Sequence, residues 1–77
     1  MSPARLPIIS GRDAAKAFKA AGFVELSRRG KGSHLALARE DPKALLTIPD
    51  HRELRRGTLR ALIRQAGLTT DEFVALL

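Results

Sequence analysis

Seventy-seven residues make one small domain, which buries only about 60–65% of the surface its unfolded chain exposes and leaves little room for a deep substrate cavity. With no cysteine, neither a disulfide framework nor a thiolate zinc site can supplement the core. Fourteen Lys and Arg against eight Asp and Glu give a net charge of +6, and ten of the fourteen are arginines, whose forked donors suit phosphate. Nucleic acid is the default partner of such a surface, with an acidic protein as the alternative.

Residues 1–9, carrying Pro3 and Pro7, read as an extended N-terminal arm, and 10–77 as a single domain. No apolar run approaches the ~20 residues of a membrane span, and the first nine residues are too short and proline-broken for a signal peptide. A cytoplasmic protein with no membrane partner is expected. Ser10 is a good N-cap, with Asp13 three residues later as a short relative of the capping-box acid. Ala14, Ala17, Phe18 and Ala21 then recur at helical spacing, and Gly22 is placed to close the helix and fold Phe23 back onto Phe18.

Phe23 to Arg28 alternates, with Val24 and Leu26 on one side and Glu25 and Ser27 on the other, which predicts a half-buried strand. Gly30-Lys31-Gly32-Ser33-His34 follows as a basic turn. Its glycines allow tight backbone conformations in which Arg28, Arg29 and Lys31 gather around an anion beside Gly32 and Ser33. Gly-x-Gly alone is common, and a solvated hairpin turn is the bland alternative. Ser33 to Arg39 is the second predicted strand, with Leu35 and Leu37 inward and His34, Ala36 and Ala38 outward. The small alanines leave that outer face accessible. Glu40 to Lys43 is a turn by composition, and Ala44 to Ile48 a third strand with Leu46 and Ile48 inward, stopped by Pro49.

Asp50 to Gly57 is a polar connection with room for one helical turn capped by Asp50 or Glu53. From Thr58 the helical stripe returns as Leu59, Leu62, Ile63 and Ala66, ended by Gly67. Arg56, Arg60 and Arg64 stand four residues apart on its other face and repel one another within the helix, which favours an external anion, with an ordinary solvated basic face as the alternative. Thr69 or Thr70 caps a short last helix whose Phe73, Val74, Leu76 and Leu77 close the core edge. The order helix, three-strand meander, helix, short helix predicts an α+β sandwich, two helices on one face of an antiparallel sheet, resembling the double-stranded-RNA-binding fold.

Ile9-Ser10-Gly11 leading a helix that ends Ala21-Gly22-Phe23, then Gly32-Ser33-His34, then Pro49-x-His51, Gly57-Thr58-Leu59 and Arg64-Gln65-Ala66-Gly67-Leu68 resembles, in this order, the HicA toxins of bacterial HicA/HicB toxin–antitoxin systems. The resemblance runs over nearly the whole chain from Leu6. It implies a double-stranded-RNA-binding-like fold, mRNA cleavage with weak sequence preference, a catalytic histidine that here is His34, and neutralisation by a HicB-like antitoxin; no cofactor is expected. The antitoxin is expected to cover the open sheet face with acidic groups.

RNA is cleaved without metal when a base takes the proton of its 2′-hydroxyl and cations stabilise the charged phosphorane; an imidazole suits that proton transfer near neutral pH. The stabilising cations are expected to be Arg28, Arg29 and Lys31. His51, the other imidazole, is a candidate second acid/base, or else a polar loop residue. Two histidines without clustered carboxylates make no recognisable metal site. With three phenylalanines and no Tyr or Trp, base-stacking platforms are absent and binding falls on phosphate contacts. A non-catalytic RNA-binding module would use the same surface. A DNA-binding helix-turn-helix over Leu59–Leu77 is disfavoured, because its second helix would offer Asp71 and Glu72 to phosphates.

Overall fold

A computed structural model describes residues 5–26 and 34–77. They run in the order α1 (Gly11–Ala20), β1 (Val24–Glu25), β2 (His34–Glu40), β3 (Lys43–Pro49), α2 (Arg56–Gln65) and α3 (Thr70–Val74). The strands form one antiparallel sheet in the order β1-β2-β3, with Leu35 opposite Ile48 and Leu37 opposite Leu46. These four side chains face α1 and α2 and are buried with Ala14, Ala17, Phe18, Leu59, Leu62 and Ile63. The predicted double-stranded-RNA-binding-like α+β fold is the one adopted.

Local signals explain the helix ends. Ser10 Oγ accepts the Asp13 N–H at 3.0 Å and so satisfies one of the orphan donors of the first turn. Alanines at 14, 15 and 17 bring α1 close to the sheet, leaving Phe18 as its one large anchor. Gly22 and Gly67 both adopt positive φ, 102° and 76°, and so reverse the chain after α1 and α2 where any other residue would be strained. Thr69 and Glu72 form a reciprocal capping box at α3.

The first strand departs from expectation. It has two residues, and Val24 and Leu26 lie exposed while Phe23 is buried. The left-handed turn at Gly22 is responsible: it brings the Phe23 N–H to the Phe18 carbonyl at 3.1 Å and sets the two rings edge to face at 5.9 Å. Once Phe23 points inward, the two-residue period of a strand sends Val24 and Leu26 outward.

The connection from Asp50 to Arg55 forms no helical turn. Asp50 is committed to an ion pair with Arg12, and Leu54 instead drops into the core, its N–H donating to the Ile9 carbonyl at 2.8 Å. Leu6, in the N-terminal segment, is buried too, and Arg56 Nε donates to its carbonyl at 3.2 Å. Across the other end of the molecule, Arg39 donates from Nε to the Pro42 carbonyl and from Nη2 to the Ala66 carbonyl, both at 2.9 Å, while its guanidinium lies 4.5 Å from the centre of the Phe23 ring.

Candidate active site

His34 is the first residue of β2, exposed, on the sheet face away from the helices. Its neighbours on that face are Ala36 and Ala38, so nothing bulky from its own strand shields the imidazole. Directly across the ladder stands Pro49, the last residue of β3, from which the chain leaves the sheet through Asp50 to His51. The pairing therefore brings the two histidines to one end of the sheet, with His51 two residues beyond the cross-strand partner of His34.

That end is braced by the start of α1. The Gly11 N–H donates to the His51 carbonyl at 2.9 Å, and a Cβ on Gly11 would lie 1.9 Å from the Pro49 carbonyl oxygen. Only glycine lets the helix come this close. The next residue, Arg12, meets Asp50 side-on, Nε to Oδ1 at 3.2 Å and Nη2 to Oδ2 at 3.4 Å. The hydrogen bond that Arg12 donates to Asp50, and then the carboxylate's charge, raises the Arg12 pKa above the usual guanidinium value. Arg12 also borders a cleft of about 360 Å³ that reaches Leu35, the residue after His34.

The predicted phosphate-binding residues Arg28, Arg29, Lys31, Gly32 and Ser33 lie outside the described residues. Arg56, Arg60 and Arg64 are exposed on α2, but α2 turns Leu59, Leu62 and Ile63 to the sheet. Arg60 and Arg64 thus lie on the side of the molecule away from His34, and Arg56 spends a donor on the Leu6 carbonyl. The structure does not bring these arginines to the histidine.

What the open sheet face does carry is an aliphatic row. Val24 pairs with Ala38, which pairs in turn with Leu45, so Val24 and Leu45, 65% and 62% exposed, stand in one line across the three strands. Leu26, whose N–H donates to the Ala36 carbonyl at 2.8 Å, extends the patch toward the His34 end. Sequence alternation pointed away from this patch, because it counted Val24 and Leu26 as one apolar side of a half-buried strand. The contact that displaces them, Phe23 on Phe18, was legible in the same residues. For the Arg12–Asp50 pair no local signal exists, since its partners are 38 residues apart.

Three comparisons bear on the identity of this arrangement. The family described as HicA toxin of bacterial toxin–antitoxin systems matches residues 11–68. The chain belongs to the HicA toxin family. A chain of a solved toxin–antitoxin complex from Streptococcus pneumoniae is 33% identical, with a TM-score of 0.66, over 78% of the present chain and 98% of that one. No curated protein matches. The part matched to the HicA family opens on Gly11, at the brace of α1 against the Pro49–His51 loop, and ends on Leu68, just past the turn that closes α2. It contains His34, His51, Arg12 and Asp50, and leaves α3 outside.

Proposed function

We propose that this HicA-family chain is an endoribonuclease toxin that cleaves mRNA with weak sequence preference, with His34 as general acid/base and no metal in the reaction. The observation that supports it best is the placement of His34: an exposed imidazole at a strand end, with small neighbours and a second histidine two residues past its cross-strand partner Pro49. In the proposed reaction His34 takes the proton of the 2′-hydroxyl. The 2′-oxygen attacks phosphorus, the bond to the 5′-oxygen breaks, and a proton returned to that oxygen, with His51 as its proposed donor, leaves a 2′,3′-cyclic phosphate and a 5′-hydroxyl. Arg28, Arg29 and Lys31, with Gly32 and Ser33, are proposed to hold the phosphate, and Arg56, Arg60 and Arg64 to track flanking RNA on the helical side.

The test is incubation of the purified chain with a defined RNA in EDTA. Cleavage with cyclic phosphate ends is expected; RNA bound but left intact would favour the non-catalytic RNA-binding module. Binding should weaken steeply with salt, and Arg60→Ala and Arg64→Ala should each reduce the slope of log affinity against log salt by roughly one. A slope unchanged by both substitutions removes α2 from the RNA path.

We further propose that a HicB-like antitoxin neutralises the toxin by covering the open sheet face. The aliphatic row changes the chemistry expected of that partner, which needs apolar groups at the centre and acids only around them, because the patch of Val24, Leu26 and Leu45 offers neither charge nor aromatic ring to RNA. Leu45→Asp is therefore expected to weaken antitoxin binding by about 100-fold or more, measured by calorimetry, while the free toxin still cleaves RNA. Undiminished antitoxin affinity would move the interface off the sheet.

A further inference from the structure

We propose that Arg12, oriented by Asp50, contacts the phosphate being cleaved at the His34 end of the sheet and is a catalytic cation of this protein. The proposal rests on the assignment of His34 to the nuclease site. Arg12 is attached to that site by a short path: its guanidinium is held by Asp50, Asp50 follows Pro49, and Pro49 is the cross-strand partner of His34. The cleft bordered by Arg12 reaches Leu35, which follows His34 on β2 and turns to the helical face, so it meets the same end of the strand from behind the sheet.

The geometry of the pair suits this role. Asp50 engages one edge of the guanidinium, through Nε and Nη2, so the Nη1 amino group remains to meet an oxyanion. The Arg12 side chain is 74% exposed and that of Asp50 19%, so the carboxylate is the fixed member and the arginine the presented one. An exposed ion pair of this kind adds little to stability. Its main effect is to stop a long side chain from sampling its rotamers, so that the cation is already in place when charge develops on the phosphorane oxygens.

Several of the other described arginines are engaged elsewhere or lie away from His34. Arg39 is engaged by the Pro42 and Ala66 carbonyls, Arg56 gives its Nε to the Leu6 carbonyl, and Arg60 and Arg64 face the opposite side. The close approach of Gly11 to Pro49 keeps the first turn of α1, and with it Arg12, against the loop that follows β3.

The experiment combines kinetics with direct observation of the side chain. Arg12→Ala is expected to lower single-turnover cleavage at saturating RNA by ~10²-fold, with an unchanged melting temperature. Millimolar-range guanidinium salt, far below denaturing amounts, should restore part of the activity to Arg12→Ala and none to His34→Ala. Asp50→Asn, which keeps the guanidinium but loosens its anchor, should show a smaller loss. A cleavage rate within about threefold of wild type for Arg12→Ala overturns the proposal, and so does a loss accompanied by a lowered melting temperature and no rescue, which would make the pair a structural brace. In parallel, the Arg12 Nε–H resonance is followed by NMR as a non-cleavable 2′-O-methyl RNA is added. A shift of that resonance supports the contact even if the wild type proves not to cleave, whereas an unmoved resonance at saturation overturns it even if the wild type cleaves.

Discussion

His34→Ala is expected to reduce RNA cleavage by ~10²- to 10⁴-fold while leaving RNA affinity and the melting temperature close to wild type. The size of the effect follows from losing the group proposed to move the 2′-hydroxyl proton. Its selectivity follows from the position of the residue. His34 is exposed on the open face of β2, opposite Pro49 and beside alanines, so truncation opens no cavity among Leu35, Leu37, Leu46 and Ile48 on the other face. On the proposed reading, binding falls on cations rather than on the imidazole. Full cleavage by the variant would place the chemistry elsewhere, and loss of wild-type cleavage in EDTA would point to a metal. A variant that neither folds nor binds would mean that His34 has a packing role its exposure does not suggest.

Phe18→Ala is expected to have the largest effect on stability. Phe18 is fully buried, meets the Phe23 ring edge to face at 5.9 Å and the Phe73 ring at 4.9 Å, and so joins α1 to the strand that follows it and to α3. Truncating a phenylalanine in such a position costs about 3–5 kcal/mol in lost transfer energy and residual cavity. A domain of this length has a total stability on the order of 4–12 kcal/mol, so the variant should sit near its unfolding threshold at ambient temperature. Urea unfolding followed by circular dichroism measures this directly. A loss under about 1 kcal/mol would show that the three phenylalanines do not form a closed contact in solution.

Much of this architecture was legible in the residues because local chemistry and global fold agree. Ser10, Gly22, Gly67 and Thr69 mark helix ends that the structure places where their side chains and backbone preferences require. Leu35, Leu37, Leu46 and Ile48 alternate as a one-sided sheet must. At β1 two local rules competed. The pattern of apolar residues favoured Val24 and Leu26, and the capping contact favoured Phe23; the contact won because a buried aromatic pair outweighs two aliphatics on an edge strand. The active end was only half legible. His34 and His51 stood out by residue type, but the Gly11 approach, the Arg12–Asp50 pair and the burial of Leu6 and Leu54 arise from segments far apart in the chain, where no periodicity or cap registers them.

Arg39 has a consequence for how the molecule opens. Its guanidinium joins the hairpin turn at Pro42, the last turn of α2 at Ala66 and the ring of Phe23 just after α1. Three pieces that could fray one at a time are therefore fastened through a single planar group, and the departure of any one leaves a donor or a face of that group without its contact. The hairpin, the second helix and the Phe23 corner are therefore expected to exchange their amide protons as one cooperative unit, which hydrogen exchange of wild type against Arg39→Ala would measure. Among the described residues, the end that carries His34 has no three-way fastener of this kind; it is held by the Gly11–His51 hydrogen bond and the Arg12–Asp50 pair instead.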